Sequence, residues 1–261
     1  MKVSIFQVDA FASRSFTGNP AAVVILNSEL SHETMQAIAA ENNLSETAFV
    51  LSAGDGYHIR WFTPTVEVDL CGHATLASAH VLFNHLGCND NPICFSSKSG
   101  LLRARRGDDG IIYLDFPVDT LHEVNAPKEL PQALGIEPTE VYRGRDDFLV
   151  IFDSEDVIAS LSPKMEILSK IPSRGVIVSA PGTTVDFVSR FFAPQSGVPE
   201  DPVTGSAHTS LIPYWSTRLG KKHLRAKQLS KRSGELICKA LGERVEIGGR
   251  AVTYLIGEIV L

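Results

Sequence analysis

Gly72-His73-Ala74-Thr75 opens an apolar run that ends at Leu86-Gly87, and Gly205-Ser206-Ala207-His208 opens a second that ends at Leu219-Gly220. The two stretches match in frame at Gly72/Gly205, Ala74/Ala207, Leu86/Leu219 and Gly87/Gly220. Each reads as an apolar helix that starts on glycine and stops on glycine. The match continues outward. Upstream, Arg60-Trp61-Phe62-Thr63-Pro64 lines up with Arg190-Phe191-Phe192-Ala193-Pro194, with three more residues before the glycine in the second copy. Downstream, Ser99-Gly100-Leu101-Leu102 lines up with Ser233-Gly234-Glu235-Leu236. A repeat at an offset of about 130 residues is an internal duplication rather than a solenoid.

The chain has 261 residues, of which 44% are hydrophobic, enough to bury a sizeable core. The duplication divides it into an N-terminal lobe, 1–117, and a C-terminal lobe, 118–261. The boundary falls in the irregular, mixed-charge stretch from Pro117 to Pro131. Net charge is −6 with scattered basic residues, which argues against a nucleic-acid footprint. No stretch approaches the roughly 18 to 20 apolar residues that span a bilayer, and the amino terminus does not read as a signal peptide. Cys71, Cys88, Cys94 and Cys238 show no CxxC or paired spacing, so neither a zinc site nor a disulfide framework is expected. A reducing cytoplasm is the expected compartment.

Within the first half, Val3–Val8 and Ala21–Leu26 read as strands around a turn at Thr17-Gly18-Asn19-Pro20. Ser31 reads as the N-cap of a helix over 32–41, with Met35, Ile38 and Ala39 facing inward and an end at Asn42-Asn43. Thr47–Leu51 is a strand, which puts Glu46 at a loop-to-strand junction. A hairpin at Ala53-Gly54-Asp55-Gly56 leads into Tyr57–Thr63. Strands fill most of Ile93–Phe116. In the second half a short helix at Leu130–Gly135, a strand at Phe148–Phe152, a helix at Met165–Ile171 and a strand at Val176–Ser179 follow. Ser179-Ala180 repeats Ser52-Ala53, and that register places Ser173 where Glu46 stands.

A helix that starts on glycine exposes unpaired amides and the positive end of its dipole, which attract an anion. Two such helices related by the duplication would suit a small carboxylate. Around them stand Cys71 and His73 on one side, and Glu200, Asp201, Ser206 and His208 on the other. An acid, an imidazole and hydroxyls beside two amide nests fit proton transfer. Each residue also has a plain reading. His73 as a core histidine, Asp201 as a turn former before Pro202 and Glu46 as a solvated strand end all account for one residue apiece.

Gly18-Asn19-Pro20-Ala21-Ala22-Val23, Ser45-Glu46-Thr47-Ala48-Phe49, Phe62-Thr63-Pro64, Cys71-Gly72-His73-Ala74-Thr75 and Glu200-Asp201-Pro202-Val203-Thr204-Gly205-Ser206-Ala207-His208 resemble the signature blocks of the phenazine-biosynthesis PhzF-like family. They occur in the family's order over nearly the whole chain. The resemblance implies an α+β, diaminopimelate-epimerase-like fold: two similar lobes, each a β-barrel-like roll around a central helix, with the active site in the cleft between them. It implies a cofactor-independent isomerase in which one glutamate, Glu46, shifts a proton on a small cyclic or unsaturated carboxylic acid. His73 and Asp201 are the supporting catalytic groups by the same resemblance. Asn19, Gly72, Gly205 and Ser206 bind substrate, and a homodimer is implied. No metal, flavin, nicotinamide or pyridoxal site is visible in the sequence. Because a free glutamate has a pKa near 4.3, efficient proton transfer at neutral pH calls for desolvation.

Two other readings stay open at this stage. Epimerases and proline racemases of this fold use two facing cysteines, and Cys71 fits the first position. Thr204 takes the second, and a hydroxyl is a far poorer base than a thiolate. An amino-acid epimerase or hydroxyproline-type dehydratase working through Cys71 is one alternative. A non-catalytic carboxylate-binding protein is the other.

Overall fold

A computed structural model describes residues 1–261. The fold is α+β and rich in sheet. Two compact units divide it, one comprising Met1–Asp115 with Ile247–Leu261 and the other Phe116–Glu246.

The first unit contains β1 (Lys2–Ala10), β2 (Asn19–Leu26), α1 (His32–Asn42), β3 (Glu46–Ala53), β4 (Gly56–Phe62), β5 (Glu67–Val68), α2 (Gly72–Asn84), β6 (Ile93–Ser97) and β7 (Gly100–Arg106). Strand β8 (Ile112–Pro117) closes it. Helix α1 forms where its caps dictate. Ser31 Oγ accepts from Thr34 N at 3.2 Å, and Asn43 stops the helix in the left-handed region with φ 48°. Its inner residues Met35, Ile38 and Ala39 join Val24, Phe49 and Phe62 in one cluster. Helix α2 is buried on nearly every face, at ten of its thirteen residues, which makes it the core of the unit. Its hydroxyls turn back on its own backbone, Thr75 to Cys71 O at 2.6 Å and Ser78 to Ala74 O at 2.7 Å. The helix ends at Asn84 rather than at Leu86, because the His85 and Leu86 amides both go to Val81 O and tighten the last turn.

The second unit contains β9 (His122–Glu123), α3 (Glu129–Leu134), β10 (Glu140–Arg143), β11 (Asp147–Ile151), α4 (Glu155–Ser160), α5 (Met165–Leu168), β12 (Gly175–Pro181), β13 (Phe187–Phe192), α6 (His208–Leu219), β14 (His223–Gln228) and β15 (Gly234–Ala240). Two strands remain, β16 (Arg244–Gly249) and β17 (Ala251–Val260). The sequence reading assigns 118–261 to one lobe, but β17 belongs with the first unit. It runs antiparallel along β1 from Lys2↔Val260 to Ala10↔Ala251 and covers the edge that β2 leaves open.

The duplication is plain in the pairing. In the first unit β1/β2 is antiparallel, β2/β3 parallel, β3/β4 antiparallel, β4/β6 parallel and β6/β7 antiparallel. The second unit repeats the same alternation through β10/β11, β11/β12, β12/β13, β13/β14 and β14/β15. Parallel neighbours need crossovers, and helices supply them in both halves. An ion pair is repeated as well. Arg60 grips Glu67 with two bonds, Nε–Oε1 at 2.7 Å and Nη2–Oε2 at 2.9 Å, and Arg190 grips Glu200 at 2.7 and 3.0 Å. The partner lies seven residues on in one copy and ten in the other, so the three inserted residues fall inside this loop.

The strand register also corrects the internal alignment. Arg60 pairs with Phe49 and Arg190 with Val178, so Glu46 corresponds to Gly175 and not to Ser173. The Ser-Ala match misleads because the two dipeptides stand at different places on their strands: Ser52 lies opposite Tyr57, in the position of Pro181 opposite Phe187, whereas Ser179 lies opposite Ser189, two residues earlier in its strand. At Gly175 a Cβ would lie 2.4 Å from the Phe191 ring, so no side chain fits there. The carboxylate stands on one copy only.

Candidate active site

The site residues of the first unit gather where β2, β3 and α2 begin. Gly18 has φ +68°, and a Cβ there would stand 2.1 Å from Ala10 O, so glycine alone lets the chain turn into β2. Asn19 is the first residue of β2 and Glu46 the first of β3, and the parallel register puts Glu46 beside Ala21. Cys71 is the N-cap of α2 without a side-chain capping bond, followed by Gly72 and His73 in the first turn.

These side chains form one line. Ser45 Oγ donates to Asn19 Oδ1 at 3.3 Å, Asn19 Nδ2 meets His73 Nδ1 at 3.2 Å, and His73 Nε2 lies 3.2 Å from Glu46 Oε2. The last approach is at ion-pair distance, but neither atom makes an aligned hydrogen bond within the protein. With the amide turned this way, the neutral imidazole carries its proton on Nε2, towards Glu46. Turned over, the same amide accepts from Nδ1–H and donates to Ser45, and so serves the imidazolium. Burial by itself would lower the His73 pKa, but the Glu46 carboxylate that faces Nε2 outweighs it and holds the ring above the ordinary histidine range. Burial and the Glu46 charge push the Cys71 thiol up, so it stands neutral and the carboxylate supplies the charge.

Glu46, Cys71 and His73 each bring one potential metal-ligand atom to within 4.8 Å of the others. Cys71 Sγ, however, sits 3.5 Å from Nδ1 while Glu46 faces Nε2, so the sulfur and the carboxylate address opposite nitrogens of one ring.

In the second unit Asp201, Gly205 and Ser206 lie on the loop that leads into α6. The Thr204 hydroxyl donates to Asp201 Oδ2 at 2.5 Å. Helix α6 does not start on glycine as the sequence pattern predicts. His208 N goes to Gly205 O at 3.0 Å and Thr209 N to Ser206 O at 3.1 Å, which makes a tight turn before the helix. The Thr204 carbonyl, the acceptor an earlier start would use, is taken at 2.8 Å by His208 Nδ1. In the first copy the Cys71 carbonyl accepts both the Thr75 hydroxyl at 2.6 Å and the Thr75 amide at 3.1 Å, and α2 does start on Gly72. Burial lowers the His208 pKa to about 4, so its ring is neutral, donates from Nδ1 and leaves Nε2 as an acceptor.

Of the residues singled out in the sequence, Asn19, Glu46, Gly72 and His73 come together in the first unit. Asp201, Gly205 and Ser206 come together in the second. Asn19, expected to bind substrate, is fully buried, with its amide engaged by His73 and Ser45. Sequence reasoning overlooks Ser45 as a partner of Asn19, and Thr204 and Gln228 as partners of Asp201. Asp201-x-x-Thr204 has a turn-forming spacing that signals the first contact. Nothing in the sequence ties Gln228 to this loop.

No helix is long and apolar enough to cross a membrane. A family model described as PhzC-PhzF, phenazine biosynthesis-like protein, matches residues 8–257. An uncharacterized isomerase of Pseudomonas aeruginosa is 53% identical over 99% of each chain. The crystal structure of a PhzF family phenazine biosynthesis protein of Enterococcus faecalis matches with a TM-score of 0.97 at 45% identity, covering 100% of both chains. A hydroxyproline epimerase of Agrobacterium vitis, 13% identical, covers 99% of this chain and 91% of its own length with a TM-score of 0.63, a likeness of fold alone. On the extent and strength of these matches, the chain belongs to the PhzC-PhzF family of phenazine biosynthesis-like proteins.

Proposed function

We propose that the chain is an isomerase in which Glu46 alone moves a proton between carbons of a small, cyclic or unsaturated carboxylic acid, without a cofactor. The approach of His73 Nε2 to Glu46 Oε2, at 3.2 Å with both atoms shielded from solvent, carries this reading. A carboxylate that must accept a proton from carbon and return it elsewhere needs a fixed orientation and a neighbour that adjusts to its changing charge. The imidazole backed by Asn19 and Ser45 meets both needs. As Glu46 gains the proton, the attraction that favours a charged His73 falls, and as Glu46 gives it up, the attraction returns.

Asp201 polarises the substrate, while the Gly72 and Gly205 amides and Ser206 receive its carboxylate. The isomerase relatives support the reaction class. The neutral, buried Cys71 thiol speaks against a thiolate base and favours the one-base course over a cysteine-dependent epimerisation.

Proton exchange in heavy water, followed by NMR with dihydro-hydroxyanthranilate-type rings, diaminopimelate, proline and hydroxyproline, tests the proposal. Deuterium entering a ring or unsaturated carboxylate supports it. Saturable binding across the panel with no exchange would turn the reading towards a binding protein.

A further inference from the structure

Thr204 holds the position that a second catalytic cysteine occupies in the racemase-type pattern, and its surroundings give it a different task. Its hydroxyl donates to Asp201 Oδ2 at 2.5 Å and receives Gln228 Nε2 at 3.2 Å. Gln228 is fully buried at the end of β14 and is spent entirely on this loop. Its Oε1 accepts from Thr204 N at 2.9 Å, and its Nε2 also donates to Asp201 O at 2.8 Å. The Gln228 carbonyl is fastened in turn by Ser233 Oγ at 3.0 Å, and the Thr204 carbonyl by His208 Nδ1 at 2.8 Å. Both ends of the Asp201–Thr204 turn are thus tied to one amide.

We propose that Thr204 and Gln228 are positioning residues that set the orientation of the Asp201 carboxylate through a directed relay, Gln228 Nε2–H to Thr204 Oγ1 and Thr204 Oγ1–H to Asp201 Oδ2. The direction is fixed by chemistry. An amide NH2 only donates, so the threonine oxygen accepts from it and its single proton goes to the carboxylate, which only accepts. A donor that is itself polarised by a further donor makes a stronger bond to a charged acceptor. Such a bond selects one carboxylate rotamer and leaves Oδ1 as the oxygen to face other groups. The inference rests on the reading of Asp201 as a substrate-polarising group. It adds that the second cysteine position has become part of the support for that group.

Two measurements test it, one independent of any substrate. With aspartate labelled at the carboxyl carbon, the Asp201 resonance at neutral pH is expected to coincide in native protein and Thr204→Ser. It is expected to move in Thr204→Val, which keeps the shape and loses the hydroxyl, and in Gln228→Glu, which presents an oxygen where the relay needs a donor. An Asp201 resonance unmoved in Thr204→Val overturns the proposal. With dihydro-3-hydroxyanthranilate as the exchange probe, Thr204→Val is expected to lower kcat by about 10- to 100-fold with KM little changed, as for a lost bond to a charged group. Thr204→Ser should restore the native rate. Asp201→Asn separates the two levels. Full exchange in that variant overturns the role of Asp201 itself, whereas an inactive Asp201→Asn beside a fully active Thr204→Val overturns the relay alone. Melting temperatures of all variants, expected within a few degrees of one another, separate loss of positioning from loss of fold.

Discussion

His73 is held from both sides: Asn19 Nδ2 meets its Nδ1 at 3.2 Å, and Glu46 Oε2 faces its Nε2 at the same distance. One ring therefore links a fully buried amide to the carboxylate at the head of β3. The state of that carboxylate is felt at Asn19, and a change at Asn19 is felt at Glu46, although the two do not touch.

The first expected outcome concerns Asn19. Replacing it with leucine removes the only side-chain amide at Nδ1, and the imidazole loses its fixed setting. Exchange should fall by about 10-fold, the scale of one buried hydrogen bond, while ligand binding persists. Asn19→Asp places a second carboxylate at Nδ1 and should raise the titration of the ring further above its native position. Nitrogen-15 NMR of the His73 ring reads this directly, and a ring that titrates as in native protein contradicts it.

Cys71 gives a second outcome. Its thiol is buried, pushed up by burial and by the Glu46 charge, and stands beside Nδ1, on the side of the ring away from Glu46. Cys71→Ser should therefore keep exchange within a few-fold of native. A loss of several orders of magnitude would instead favour the cysteine-dependent epimerase.

A third concerns stability against pH. Burial lowers the His208 pKa to about 4, and burial with the neighbouring His85 does the same for His80. A free histidine titrates near 6.5. Above that value neither state binds the proton, and the stabilisation from keeping these rings neutral is complete. Between about 6.5 and 4 the unfolded chain takes up protons that the folded one refuses, so stability falls with pH by roughly 1.4 kcal/mol per unit for each histidine. Below about 4 the slope from these groups vanishes. His208→Gln, which can still donate to Thr204 O, should remove about half of the slope in urea midpoints measured over this window. An unchanged slope would show that His208 is not a source of it.

Local signals in the sequence were the ones that translated directly into structure. Ser31 and Asn43 bound α1 because a cap acts within one helical turn, and the apolar run after Gly72 became the buried α2 because no polar stripe interrupts it. Arg60 and Arg190 matched because the same grip on a glutamate is built twice. What the sequence does not carry is non-local. The offset between Ser173 and Gly175 arises because the same Ser-Ala dipeptide stands two residues apart on the two strands, which only the pairing reveals. Strand β17 pairs with β1 from the far end of the chain, and no spacing announces that. Helix α4 has a local signal of the same kind as α1, Ser154 followed by Glu155-Asp156, a helix-start pattern. At the site, Glu46 and His73 were legible as residue types beside a helix start, but the support from Asn19 was not. The type of an asparagine does not say that its amide meets a histidine 54 residues further along the chain.

The most direct test of the account is Glu46→Gln, compared with native protein in heavy water for deuterium uptake and, by saturation transfer, for ligand binding. Glutamine keeps the size of the side chain and removes the base. The account predicts binding close to native with no deuterium entering any carbon position. Native-like exchange in this variant would contradict it, because the proton would then be moving by way of another group.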